Sequence, residues 1–135
     1  MAALTQDRAT PYREGIEIEF PVAANAKIFA GSLVCANAQG YAVPASDTAG
    51  LKFLGVAMER ADNTGGANGA KVVRLRRTGV FEFNAASITQ AMVGDPMYAK
   101  DDNTFDDAAG CTNDIKVGVL VKYVSDTKGW IDISR

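Results

Sequence analysis

The chain has 135 residues, 47% of them hydrophobic, with 14 basic and 16 acidic side chains, no histidine and a net charge of −2. That length supports a single domain whose core needs no metal or disulfide staple, since such staples become necessary mainly below about 40 residues. The charge balance argues against a strongly basic nucleic-acid-binding face, no run approaches the roughly 18 apolar residues of a membrane helix, and the lack of histidine excludes His-based catalytic triads and His-containing zinc sites.

Residues 1–15 read as an arm without sustained periodicity, broken by Pro11 and Gly15. It carries Leu4 and Tyr12 as apolar anchors and Arg8 and Arg13 as charged donors. Two readings stand: a frayed terminus, or a segment that orders on a partner surface. No basic segment followed by an apolar stretch opens the chain, so no secretory signal and a reducing compartment of synthesis are expected.

Ile16-Glu17-Ile18-Glu19-Phe20 alternates with period two, which predicts a half-buried strand ended by Pro21. Ile28 to Ala36 reads as an apolar strand interrupted by Gly31, followed by a turn at Asn37–Gly40 and a return strand Tyr41–Val43. Lys52 to Met58 is the next strand, with Gly55 marking a bulge or a close backbone approach. Asn63 to Gly69 has the composition of a flexible loop tip. Lys71 to Arg77 alternates again, with Val73 and Leu75 on one face and Val72, Arg74 and Arg76 on the other.

Val80 to Phe83 opens another strand, and Ala85 to Ala91 suits one or two helical turns with Ser87 as N-cap. Met97-Tyr98-Ala99 and Thr104-Phe105 flank a hairpin turn at Asp101-Asp102-Asn103. Asp106 to Asp114 reads as a polar loop, Ile115 to Val124 as a long β-branched strand, and Trp130 to Ile133 as a final alternating one. Many short strands with turn signals every ten residues or so predict an all-β sandwich or barrel with little helix.

The strands fall into two similar series. Ile18, Glu19, Phe20, Ala23 and Gly31 match Phe81, Glu82, Phe83, Ala86 and Gly94 at one offset (81 − 18 = 63), and Leu54-Gly55-Val56-Ala57 answers Val117-Gly118-Val119-Leu120 at the same spacing. Two strand–turn–strand units, about 16–77 and 79–133, fill a single β domain of residues 16–135. Two copies are too few for a solenoid, so a closed or clasped two-lobed β domain is expected.

Candidate chemistry is sparse. Gly69-Ala70-Lys71-Val72 lacks the Lys-Ser/Thr that must directly follow the last glycine of a phosphate loop. Asp101, Asp102, Asp106 and Asp107 do not have the spacing of a calcium loop and read as a solvated hairpin rim. Paired carboxylates for glycoside chemistry, Glu17 with Glu19 or Asp101 with Asp106, come with no cleft signal. Cys35 reads as a small core residue and Cys111 as a free exposed thiol, with a Cys35–Cys111 disulfide as the alternative. Lys71, Arg74, Arg76 and Arg77 form the densest basic patch, either a solvated or edge-strand face or a contact to an acidic protein surface. No catalytic residue, cofactor or metal is expected.

The ordered series of stretches resembles a family of small tailed-phage head proteins, the capsid decoration or cement proteins of the lambda type. The resemblance runs through Ala3-Leu4-Thr5-Gln6-Asp7-Arg8-Ala9-Thr10-Pro11, Ile28–Val34 into Gly40–Val43, Phe53–Ala57, Asp62-Asn63 with the glycine loop, Val72–Arg77 with Gly79–Phe81, and Val93–Tyr98. It implies a β-clip or β-tulip-like barrel acting as a non-enzymatic virion protein on the capsid outer surface, made in the host bacterial cytoplasm. Its partners would be the major capsid protein and two further copies of itself, as homotrimers at three-fold and quasi-three-fold positions, with no nucleic acid and no membrane. The arm residues Leu4, Thr5, Arg8, Pro11, Tyr12 and Arg13 would contact the shell, with Arg74, Arg76 and Arg77 as further charged contacts; a host-surface glycan has no support in the sequence. The alternatives are another phage structural part, in a tail or connector, and a β module that binds a small ligand or sugar.

Overall fold

The computed structural model describes residues 3, 5–10 and 15–134. The fold is all-β, with a closed five-stranded barrel. Its strands are β1 (Glu17–Pro21), β2 (Lys27–Ile28), β3 (Leu33–Ala36), β4 (Ala42–Pro44), β5 (Lys52–Ala57), β6 (Ala61–Asp62), β7 (Val72–Arg76), β8 (Val80–Ala85), β9 (Pro96–Ala99), β10 (Thr104–Asp106), β11 (Lys116–Ser125) and β12 (Lys128–Asp132).

Strand pairing follows one plan in both halves. The first sheet runs β1-β7-β5-β3-β4, and the barrel runs β8-β12-β11-β9-β10 before β10 closes on β8. The correspondence extends to single hydrogen bonds. Gly31 N–H donates to Ala57 O at 2.8 Å, and Gly94 N–H donates to Leu120 O at 2.8 Å. Ala57 N–H returns to Ser32 O at 2.9 Å, and Leu120 N–H returns to Asp95 O at 3.0 Å. Both turns need a left-handed residue, supplied by Gly31 (φ 82°) and Gly94 (φ 96°). The last strands correspond through Arg77 N–H to Ile16 O and Ile133 N–H to Gly79 O. The offset there has dropped from 63 (79 − 16) to 56 (133 − 77), because equivalent pairs lie seven residues further apart in the first half, Val56 with Arg76 (76 − 56 = 20) against Val119 with Asp132 (132 − 119 = 13).

The halves differ at the seam. In the second, Asn84 N–H donates to Asn103 O at 3.1 Å and Ala86 N–H to Phe105 O at 3.0 Å, which joins β8 to β10 in parallel. In the first, only Ala23 N–H to Ala42 O, at 2.9 Å, survives, alongside an isolated Val22–Ala42 bridge. The residue corresponding to Asn84 is Pro21, which has no N–H to give. One proline therefore leaves the first sheet joined by a single bridge where the second half is a closed barrel.

The extra residues of the first half form the β2–β6 ribbon and the glycine loop. That loop is pinned, against the expectation of a loose tip. Asn63 is buried, and its Nδ2 donates to Ala23 O at 2.8 Å and Ala67 O at 2.9 Å. Asn25 Oδ1 accepts from Gly65 N–H and Asn68 Oδ1 from Ala24 N–H.

Two cores result. One holds Val22, Ile28, Val34, Ala42, Ala57, Val73 and Leu75; the larger one holds Phe83, Met97, Phe105, Leu120 and Ile131 together with Leu33, Cys35 and Val56. β3 and β5 are thus a shared wall, with alternate side chains entering different cores. A strand buried on both faces reads as a continuous apolar run, as Leu33-Val34-Cys35-Ala36 does. Across the junction Leu33 N–H donates to Asp102 O at 2.8 Å, and the Asp47 carboxylate accepts Thr112 and Asn113 N–H, each at 2.8 Å.

Two elements differ from expectation. The stretch Ile28–Ala36 is two strands, because Gly31 turns the chain between β2 and β3. Ala85–Ala91 holds no α-helix: β8 runs to Ala85, and only a 3-10 turn follows at Gln90–Met92, with Thr89 in place of Ser87 at its N-cap.

Gly55 and Gly118 occupy equivalent sites of close strand approach. A Cβ on Gly55 would stand 2.4 Å from Arg76 O, and one on Gly118 2.5 Å from Asp132 O. Backbone cannot yield as a side-chain tip can, so Gly55→Ala and Gly118→Ala are each expected to destabilise by about 1–3 kcal/mol. Gly15→Ala, whose nearest neighbour is the end of Arg77, should stay within about 0.5 kcal/mol. Urea unfolding midpoints of the three variants check this.

Candidate interaction surfaces

Of the arm residues singled out, Leu4, Pro11, Tyr12 and Arg13 lie outside the described residues. Thr5 and Arg8 are exposed, and Arg8 bends locally onto Thr10, donating to its Oγ1 at 3.5 Å while its carbonyl accepts Thr10 N–H at 3.1 Å. These are contacts within the segment and leave both side chains at the surface.

Arg74 and Arg76 project from one face of β7, as the alternation requires, and Arg77 is exposed just beyond it. The face is not a free basic patch, and β7 is not an edge strand. β7 lies between β1 and β5, and the pairing with β1 sets Glu19 opposite Arg74 and Glu17 opposite Arg76. Arg76 approaches Glu17 at 3.9 Å, and Arg74 approaches Glu59 at 3.8 Å. These long, half-exposed pairs add little stability. Their effect is to offset Arg74 and Arg76, two of the four cations in the run that reads as basic in sequence.

Glu17 and Glu19 share a strand face, each opposite an arginine, a register that accounts for both by strand pairing. The acidic rim divides. Asp101 is exposed and its carboxylate accepts Asn103 N–H at 2.8 Å, closing the β9–β10 turn. Asp106, expected in solvent, is 6% exposed: its Oδ1 accepts Asp107 N–H at 2.8 Å, and its other oxygen fills the space where Gly110 lacks a side chain. Alternation does not explain the burial, since Phe105 is inside and its strand neighbour should point out; the Ala108–Gly110 turn covers the Asp106 carboxylate, and Gly110 leaves the room for it. Among the described residues no group of three or more His, Cys, Asp or Glu side chains is placed to hold a metal ion.

The groove at the junction of the halves, about 330 Å³, is lined by Gly31, Val56, Met58, Arg76, Phe81 and Glu82 among others. It is open to solvent and mainly apolar. The feature that sequence reading missed is Phe29. It is 51% exposed, with Lys27 Nζ at 5.2 Å and Arg60 Cζ at 5.7 Å from the ring centre. Its place in an apolar stretch hides it; only the Gly31 turn and the pairing of β2 with β6 bring it to the surface.

Both cysteines are free thiols. Burial pushes the Cys35 thiol up to about 12. Cys111, expected exposed, is half-buried, with Sγ 3.7 Å from Ala99 O; burial first, then Asp47 and Asp106, raise it to about 11. Compared with known proteins, the chain matches no family model, no curated protein and no solved structure.

The thiolate is the reactive form, so Cys35 in the folded protein should resist a disulfide reagent at pH 8, Cys111 should react slowly, and both should react at once after unfolding. The unfolded chain ionises its Cys35 first, near 9.0, so the stability due to the neutral buried thiol is intact below that pH. It is lost as pH rises toward about 12, and Cys35→Ala should flatten that alkaline decline in denaturation measurements.

Proposed function

We propose that this chain is a non-enzymatic structural protein of a tailed-phage virion, which decorates and stabilises the outer surface of an expanded capsid as trimers at three-fold and quasi-three-fold positions. The observation that carries the reading is the economy of the fold together with the sequence resemblance. A five-stranded sheet, a closed barrel and a short ribbon on one repeated plan consume residues 16–133, and several of their polar side chains are spent on turns and on the Asp47 and Asn63 contacts.

Physical chemistry makes such a clamp workable. An arm that binds alone at about millimolar affinity provides about 4 kcal/mol. Three arms carried on one rigid body act at high effective concentration and gain about 10²–10⁴-fold. A scaffold held by two cores loses little further entropy on docking, which favours tight attachment from weak single contacts.

The reading is tested by co-sedimentation of purified protein with expanded heads lacking decoration, followed by imaging. Saturable binding at three-fold positions is expected; a ring of more than three copies or a tube formed without the shell, or a bound sugar, would replace the reading with the tail-component or ligand-binding alternative. Deletion of residues 1–14 should leave a cooperatively folding domain that no longer sediments with heads, and normal binding by that deletion would remove the arm from the mechanism. Arg74→Ala with Arg76→Ala should weaken binding at low salt less than about tenfold, since each arginine already faces a carboxylate.

A further inference from the structure

Comparison of the two halves separates scaffold from surplus. The shared strands are needed to build a barrel; the β2–β6 ribbon is found in the first half alone. Its register pairs Lys27 with Asp62 and Ile28 with Ala61, and one step further sets Phe29 opposite Arg60. Ile28 and Ala61 turn inward and are buried, so Lys27, Phe29 and Arg60 share the outward face with Asp62, the residue paired with Lys27. The residue corresponding to Phe29 in the second half (29 + 63) is Met92, which is half-buried and packs on the larger core. The scaffold therefore does not require an exposed apolar side chain at this position.

Beside the ribbon lies a groove of about 210 Å³ whose floor is Ala30, Gly31 and Ser32 and whose far wall is Asp102 and Asn103 of the β9–β10 turn. Lys100, the cation nearest in sequence, turns away and donates to Gly110 O. The Asp102 carboxyl is held above its ordinary range by burial and then by Asp101 beside it. On the ribbon, the Asp62 carboxylate accepts Thr64 N–H at 3.0 Å and is held below its ordinary value first by Thr64 and then by the charges of Lys27 and Arg60, so it offsets one of the two cations. Among the described residues the salt bridges are Arg74–Glu59 and Arg76–Glu17, so neither Lys27 and Arg60 nor Asp101 and Asp102 are spent in one within their own chain. One end of the molecule thus presents an exposed aromatic ring on a face with one net positive charge, from Lys27 and Arg60 against Asp62, and, across a shallow groove, an anionic turn.

We propose that this end is a self-association site, in which the Lys27–Phe29–Arg60 face of one copy docks on the Asp101–Asp102 turn of a second copy. Opposite charge gives the register, and burial of the Phe29 ring gives the anchor. Two copies related by a two-fold axis at the groove would make this contact twice, whereas three copies would make it head to tail around a closed ring. The second arrangement is taken from the trimer of the proposed function. The inference deepens the trimer of the proposed function and rests on that reading only for the number of copies.

Sedimentation velocity at low and high salt tests it on the full chain. Wild-type protein should associate at low salt and dissociate as salt rises. Lys27→Glu with Arg60→Glu should weaken association at least about tenfold, as should Phe29→Ala. Asp101→Asn with Asp102→Lys should do the same, the asparagine retaining the oxygen that closes the turn onto Asn103. Lys27, Phe29, Arg60 and Asp101 are exposed and Asp102 is half-buried, and unchanged thermal unfolding confirms each fold. The decisive variant combines Lys27→Glu, Arg60→Glu, Asp101→Asn and Asp102→Lys in one chain, which restores attraction with the signs exchanged and should recover assembly. A wild-type protein that stays monomeric, a ribbon reversal that leaves association unchanged, or a combined variant that fails to recover would each overturn the contact. Recovery of an assembly with other than three copies would keep the contact and overturn the trimer instead.

Discussion

The structure depends on β3 being buried on both faces. Leu33 and Cys35 enter one core and Val34 the other, and β5 repeats the arrangement with Val56 and Ala57. A strand with no solvent face cannot slip by one residue without exchanging its two cores. The register of the whole first half is fixed by that wall, and with it the position of every turn that faces the second half. Asp47 and the Leu33–Asp102 hydrogen bond then set the two halves against each other through backbone donors, which have one geometry to satisfy.

Two halves on one plan make the differences informative. Where they agree, at Gly31 and Gly94 or at Gly55 and Gly118, the residue is dictated by backbone geometry. Where they differ, something besides the barrel is being served. Pro21 in place of Asn84 withholds one closing hydrogen bond, and the polar loop pinned by Asn63 brings its own donors to the same end of the sheet. The insertion thus compensates a weaker seam while carrying Arg60 to the surface beside Phe29.

Much of this was legible in the sequence. Period-two alternation located β1, β7 and β12, and the 63-residue offset between Ile18 and Phe81 foretold the matching strand order. Gly55 was readable as a close approach because a glycine inside a strand has few other reasons to be there. The failures have physical causes. Ala85–Ala91 has helix-forming composition, but pairing of Ala85 with β10 outweighs propensity in so short a segment. Asp106 looks like rim because local sequence does not reveal that Gly110 makes room for its carboxylate. The basic run at Arg74–Arg77 looks unopposed because Glu17, Glu19 and Glu59 are distant in sequence and meet it only through strand pairing and the turn after β5.

That last case bears on how such a molecule can attach to anything. Half of the largest basic run is answered by Glu17 and Glu59 and the net charge is −2, so long-range steering by a net field is weak and any docking relies on short-range fit. The surface features open to such a fit are small: an aromatic ring beside two cations and one aspartate, and a pair of aspartates across a groove. Each is worth little alone in water, where exposed ion pairs contribute about 0.2–1 kcal/mol. They gain weight only when several are engaged together on bodies that do not deform, because the ordering entropy is then lost once and not at every contact. A sheet and a barrel that share a wall are a means of supplying that rigidity from 135 residues. Rigidity in the scaffold and weakness in the individual contacts are two sides of one design, since a stiff body lets weak contacts add.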